Sequence, residues 1–304
     1  MIPGVSLALR SLKLPLVTPD IRWSLGAGSE SFTVLKARYM VKNNMSIDYD
    51  KVSRVYDTSR VANTETVEKL IELLHIGSDS AVLDMGCGTG NYADALQQVA
   101  KSVIGIDSST GMIEQARAKF PELALICGDV TSLPFGSEAF DGAFTIQVLH
   151  HVEERELFLT EAYRVIRKGA CLAIDSCSHG QMRTFWDYHY FPKGLEVDLA
   201  RIPDAEEIAS LLQKVGFSDV GIEISYTNIS AEHERPERYL DKNYRDGMST
   251  FCLLSDDDIQ LGCEKLREDI ESGAIESIIR KFQAKESIVG GSTIIYGCKI
   301  NSLS

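Results

Sequence analysis

From residue 63 onward the apolar positions switch repeatedly between a helical and a strand-like spacing. Val67, Leu70, Ile71 and Leu74 form one stripe of an amphipathic helix, and Gly77 follows as a stop. Ala81–Asp84 is a short apolar run that predicts a buried strand. Tyr92, Ala95, Leu96 and Val99 make the next stripe, Val103–Asp107 the second strand, and Met112, Ile113, Ala116 and Phe120 the next helix. Ala124–Cys127 and Gly142–Val148 read as strands three and four. Phe158, Ala162, Val165 and Ile166 stripe a helix that ends in Arg164, Arg167 and Lys168 and stops at Gly169, a basic end that suits the helix dipole. Cys171–Ser176 is strand five. Asp204 with Glu207 reads as a capping box opening a helix to Val215, stopped by Gly216. Val220–Thr227 and Thr293–Ile300 are the last two strands.

This alternation predicts an α/β fold: a doubly wound, mostly parallel seven-stranded sheet with helices on both faces. Two segments break the pattern and are expected to be insertions that build a partly helical cap. Residues 179–202 hold five aromatics in seven positions, Phe185 to Phe191. Residues 230–290 carry a helix capped by Ser255 and Asp258 and striped by Ile259, Cys263, Leu266 and Ile270, then a second stripe at Ile275, Ile278, Ile279 and Phe282. The implied organisation is a core over 45–178 with an N-terminal lid helix, the aromatic insertion, core again over 203–229, the helical cap insertion over 230–290 and a last core strand in 291–304.

Residues 1–44 stand apart, with six Lys/Arg against two Asp/Glu, and read as a disordered leader or tail; an organelle-targeting peptide is the alternative. The whole chain has a net charge of −13, which argues against nucleic acid as a partner because a grip on phosphates needs a basic face. No apolar run approaches the ~18 residues of a membrane span. The seven cysteines have no C-x-x-C spacing, which reads as a reduced, cytoplasmic chain whose cysteines mostly act as small buried hydrophobes. The sequence has no H-x-x-H spacing and no close cysteine pair, so no metal is expected.

The chemistry begins at Val82-Leu83-Asp84-Met85-Gly86-Cys87-Gly88-Thr89-Gly90. A strand feeding a glycine-rich turn and then a helix brings backbone against a nucleotide-like ligand. A dinucleotide fingerprint starting at Gly86 would need glycine at position 91, where the chain has Asn91. The pattern is instead D-x-G-x-G-x-G from Asp84, which resembles motif I of the class I S-adenosylmethionine (SAM)-dependent methyltransferases. The resemblance runs from Tyr49 to Gly216 and resumes at the final strand.

The resemblance implies a SAM-binding set. Asp84, Gly86, Cys87, Gly88 and Gly90 would form the cofactor loop. Asp107, 17 residues after Gly90, would accept from both ribose hydroxyls, with Ser108 beside it. Met112 would touch the adenine. Asp129 would accept from the adenine amino group, and the Val130 amide would donate to a ring nitrogen. Gln147 would lie beside the methionine portion. Tyr49-Asp50, Tyr56-Asp57 and Arg60 resemble a lid helix, with Arg60 pairing the SAM carboxylate through its planar fork. Structural roles stay open beside these: Asp107 as a helix cap, Met112 as core, Asp129 as the stabiliser of its own turn, and the tyrosines as ordinary packing. His150, His151 and Tyr56 are the candidates for a catalytic group, although His150 and His151 could equally cap or pack the following helix.

The expected function is SAM-dependent methyl transfer to a small molecule by in-line displacement, needing alignment and exclusion of water more than covalent help. The resemblance is nearest to the broad group that includes ubiquinone and menaquinone C-methyltransferases, but outside the core motifs this chain departs from them. The aromatic cluster suits an apolar or planar acceptor or, alternatively, is the core of the cap itself. A tRNA or protein methyltransferase, and a SAM-binding protein that does not methylate (a sensor or SAM-modifying enzyme), are the other readings. Monomer and homodimer are both left open.

Overall fold

A computed structural model describes residues 47–56, 61–226 and 235–300. The expected leader, Arg60 and the side chain of Tyr56 lie outside the described residues. In chain order the elements are α1 (Tyr49–Tyr56), α2 (Thr64–Leu73), β1 (Ala81–Met85), α3 (Asn91–Gln97), β2 (Ser102–Asp107), α4 (Thr110–Lys119), β3 (Ala124–Cys127), β4 (Gly142–Ile146), α5 (Arg155–Val165) and β5 (Cys171–Ser176). There follow α6 (His179–Met182), α7 (Pro192–Arg201), α8 (Ala205–Val215), β6 (Ser218–Ser225), α9 (Lys242–Asp246), α10 (Asp256–Ser272), α11 (Ile275–Val289) and β7 (Ser292–Cys298).

The strands form one seven-stranded sheet in the order β3-β2-β1-β4-β5-β7-β6. β1 to β5 pair in parallel, and β7 runs antiparallel between β5 and β6. The order reverses beside β1, so the carboxyl ends of β1, β2 and β4 open onto a crevice, where ligands of such sheets bind.

Side-chain alternation divides β1, β5 and β7 between two cores. Leu83 and Met85 of β1, Leu172 and Ile174 of β5 and Ile295 of β7 pack with Phe158, Leu159, Ala162 and Val165 of α5 and with Ile208 and Leu212 of α8. Val82, Ala173 and Ile294 face the other way, onto Leu70 of α2 and Ala93 and Leu96 of α3. Side chains such as Phe158, fully buried, each contribute about 2–3 kcal/mol of apolar transfer. Burial on both faces explains why these strands read as continuous apolar runs.

Three local expectations are corrected. The fourth strand stops at Ile146 rather than Val148, because Gln147 takes a left-handed backbone (φ 55°) and turns the chain out of the sheet. Asp204 caps α8 by accepting from the Ala205 amide, but it also accepts from His179, and Glu207 reaches 3.7 Å from Arg155 instead of closing a capping box. A full capping box forms at Ser178 and Gln181, at the start of α6. Third, the cysteines are not all reduced: Cys171 and Cys298 form a disulfide, because the antiparallel β5–β7 register sets them directly opposite. Cys87, Cys177 and Cys263 are free and buried.

The segments expected to be insertions hold a core of their own. Trp186, Tyr190 and Phe191 pack with Tyr239, Tyr244, Phe251, Leu266 and Ile275. Ser255 caps α10 by accepting from the Asp258 amide, as its sequence implies. No described helix is long and apolar enough to cross a membrane.

Candidate active site

A cavity of about 820 Å³ lies between the carboxyl ends of β1, β2, β4 and β5 and the aromatic-cored segments. Asp84, Gly86, Cys87 and Gly88 form one wall, and Asp107, Ser108, Met112, Asp129 and Val130 continue it. Gln147, Tyr49, His150 and His151 also line it. The sequence motifs, scattered over a hundred residues, therefore converge on one space.

Gly90 does not line the cavity. It caps α3 with φ 83°, and a Cβ there would sit 3.2 Å from Leu123 Cδ1 and 3.4 Å from Ala116 Cβ. Its place is in the packing of α3 against α4, which makes it the exception among the expected loop residues. Gly86 is needed at the wall itself: φ is 81°, and an added Cβ would lie 2.5 Å from Val148 Cγ2.

Asp107 ties the loop to β2. Its Oδ2 accepts from the Gly88 amide at 2.9 Å and its Oδ1 from the Ser109 amide at 2.9 Å. Each oxygen retains a second lone pair for a ligand hydroxyl. The helix-capping alternative goes to Ser109 instead, whose hydroxyl accepts from the Met112 amide. Burial raises the Asp107 carboxyl above its ordinary range, partly opposed by those two amides. Burial, then the charge of Asp107, raises the Asp84 carboxyl well above its ordinary value. Two desolvated acids on one wall suit a ligand that brings hydroxyl donors and positive charge. Met112 is both core and wall: it is 2% exposed and borders the cavity. Asp129 uses Oδ1 to hold its own turn, accepting from the amide and the hydroxyl of Thr131.

Helix α1 reaches the turn after β4. Tyr49 Oη lies 2.6 Å from His151 Nε2, and the His150 and His151 rings are 3.9 Å apart. Asp50 Oδ1 accepts from Ser109 Oγ at 2.6 Å and from the Gly111 amide at 2.9 Å, which docks α1 on α4 and lowers the Asp50 carboxyl.

Several cavity residues escaped the sequence reading. Asp175 is the penultimate residue of β5 and accepts from Gln147 Nε2 at 2.8 Å; burial pushes its carboxyl up to about 7. An acid closing an apolar run, as in β1, was the available signal. Asp187 lies inside the aromatic run, and burial raises its carboxyl to about 7 as well. Asp198 and Arg201, not singled out in the sequence, are both buried and paired at 2.7 Å. Trp186, Tyr190 and Phe191 do not line the cavity; Phe185 and Tyr188 do.

Residues 83–174 match the family model described as a methyltransferase domain. Over this stretch the chain carries a methyltransferase domain. The domain covers β1 to β5 and so contains the glycine loop, Asp107, Asp129 and Gln147. Among curated relatives, the malonyl-[acyl-carrier protein] O-methyltransferase of Yersinia pestis is 25% identical over 166 residues, which are 55% of this chain and 60% of that protein. The chain thus spans less than two-thirds of that relative. The demethylmenaquinone methyltransferase of Beutenbergia cavernae is 27% identical over 197 residues, 57% of this chain and 82% of that protein. Among solved structures, a protein of Anabaena variabilis ATCC 29413 described as a methyltransferase from an antibiotic biosynthesis pathway shares 28% identity, with a TM-score of 0.67. That match covers 79% of this chain and 98% of the other, so the methyltransferase likeness extends beyond the domain into the aromatic-cored segments.

Proposed function

We propose that this chain is a SAM-dependent methyltransferase acting on a small organic molecule. The observation that carries the reading is one continuous cavity, bounded at one end by the glycine loop with Asp107 and at the other by residues of the 179–202 and 230–290 segments. Such a space can hold donor and acceptor together.

In this reading Asp107 receives the ribose hydroxyls on its free lone pairs. Asp129 Oδ2 and the Val130 amide face the adenine, with Met112 beneath it. The Gly86–Gly88 backbone and Gln147 lie along the amino-acid portion, and Asp84 offsets its positive charge. SAM, when bound, supplies a sulfonium-activated methyl group. Tyr49 and the His150–His151 turn close the lid side of the cavity. Asp175 and Asp187, both near neutral pKa, are positioned to take up an acceptor proton where the acceptor has one to lose.

A small acceptor fits a cavity of this size and the net charge of −13, and small-molecule methyltransferases stand among the relatives. The test has two stages. Calorimetry measures SAM binding to the wild type and to Asp107→Ala, for which at least about a tenfold loss is expected. Incubation with methyl-labelled SAM and a metabolite extract then asks for transfer. Binding without label in any acceptor favours a sensor, and label in tRNA or protein favours a macromolecular acceptor. An unchanged affinity in Asp107→Ala removes the ribose role.

A further inference from the structure

We propose that the end of the cavity away from the glycine loop is a subsite for an uncharged, oxygen-bearing acceptor, whose carbonyl or hydroxyl oxygen takes a hydrogen bond from Arg201. This rests on the methyltransferase reading above and specifies its substrate class.

Arg201 closes α7 and is 7% exposed. Its Nε donates to Asp198 Oδ1 at 2.7 Å, and its Nη2 donates to Ser249 Oγ at 2.8 Å. Asp198 is itself held: Oδ2 accepts from Tyr188 Oη at 2.6 Å and from Thr250 Oγ1 at 2.7 Å. The guanidinium is therefore fixed in plane and in register by groups from two segments fifty residues apart. Its remaining nitrogen, Nη1, is buried and has no hydrogen-bond partner among the described residues. A buried cationic donor left without an acceptor forfeits its hydration with no return, which native structures tolerate where a ligand restores the bond. Arg201, Asp198, Tyr188, Ser249 and Thr250 all border the cavity; Nη1 itself is covered, so the cavity's occupant would reach it through a small shift of the side chains around it.

The charges nearby decide what kind of oxygen it is. Asp198 already neutralises Arg201. Asp187 and Asp175 border the same space and add carboxyls, not cations. A carboxylate or phosphate would meet a compensated guanidinium and two acids. A carbonyl or hydroxyl incurs no such repulsion and still accepts from Nη1. Phe185, Met182, Ile202 and Met248 supply apolar walls for the rest of the molecule.

Four probes with one phenyl ring separate these cases: acetophenone, ethylbenzene, benzoate and phenyl phosphate. Each is titrated by ligand-detected NMR into the full chain saturated with S-adenosylhomocysteine. Acetophenone is expected to bind at least about tenfold more tightly than ethylbenzene, with benzoate and phenyl phosphate no tighter than ethylbenzene. Arg201→Lys keeps a cation beside Asp198 but lacks Nη1, so it should erase the advantage of acetophenone while leaving S-adenosylhomocysteine affinity unchanged. Should that variant fail to fold, the 15N guanidinium signals of the wild type give a second reading: acetophenone, and not ethylbenzene, should shift the Arg201 Nη resonance. The inference is overturned if acetophenone has no advantage, if the advantage survives in Arg201→Lys, if the Arg201 resonance stays still, or if an anionic probe binds best. Loss of S-adenosylhomocysteine binding by the wild type would instead reject the cofactor reading on which it stands.

Discussion

The Tyr49 hydroxyl meets His151 Nε2 at 2.6 Å across 102 residues of sequence. The contact links the helix that begins the described chain to the turn that follows β4, and both residues border the cavity. Among the described residues α1 also holds α4 through Asp50, so the tyrosine is not what keeps the helix in place. If α1 serves as the lid proposed above, this hydrogen bond helps to close it over SAM. Tyr49→Phe should weaken SAM binding by about two- to tenfold, the worth of one net hydrogen bond, with little change in melting temperature. Calorimetry beside a thermal melt separates the two. A melting temperature that falls steeply with unchanged SAM affinity would make the contact purely structural.

Asp84 and Asp107 connect SAM binding to pH. Burial raises both acids in the ligand-free chain, and a bound positive charge would favour their ionised forms. Binding should then release protons, and SAM affinity should rise as pH climbs from the ordinary carboxylate range toward neutrality. Calorimetry in buffers of different ionisation enthalpy reads the proton release directly. Heats that do not depend on the buffer would leave the acids uncoupled from the ligand.

Gly86 and Gly90 look alike in the motif and should separate on mutation. Both have positive φ, so alanine strains either by about 1–2 kcal/mol. At Gly86 the new Cβ also strikes Val148 at 2.5 Å, on the cavity wall. At Gly90 it meets Leu123 at 3.2 Å, away from the cavity. Gly86→Ala should lose SAM binding and regain part of it in combination with Val148→Ala. Gly90→Ala should mainly lower stability, read by urea unfolding. Equal effects on SAM affinity would contradict the assignment.

That pair also marks how far the sequence reaches. Apolar runs located β1 to β5, and the resemblance to methyltransferases, not the periodicity, supplied Asp107, Asp129 and Gln147 near their carboxyl ends, while Asp175 was missed. Gln147 was identified, but its left-handed backbone was not, because nothing in its neighbours demands that turn. Asp198 and Arg201 were invisible for a different reason. They are i, i+3 neighbours on a helix, a spacing that ordinarily marks a solvated face, and only the packing of residues 249–250 over them buries the pair. The Cys171–Cys298 bond was equally hidden, since it depends on an antiparallel register between strands 127 residues apart. The aromatic run was read two ways, and the structure divides it: Trp186, Tyr190 and Phe191 fill a core, while Phe185 and Tyr188 face the cavity.

Asp175 gives the last prediction, a stability that falls with rising pH. Its carboxyl titrates near 3.8 in the unfolded chain and is raised to about 7 in the fold, where burial outweighs the Gln147 hydrogen bond. Below the lower value both states are protonated, and the group costs nothing. Between the two values the unfolded chain has ionised and the folded one has not, so the folded state binds more protons and loses ground as pH increases. Above the folded value both are ionised, and the charge sits buried at full cost. Asp175→Asn keeps an oxygen for Gln147 Nε2 and cannot ionise. The variant should therefore gain on the wild type as pH rises across that window, by up to about 1.4 kcal/mol per pH unit as a ceiling. Urea unfolding of both proteins at the two ends of the window measures the gain. A difference between variant and wild type that stays constant with pH would show that Asp175 does not titrate in this range.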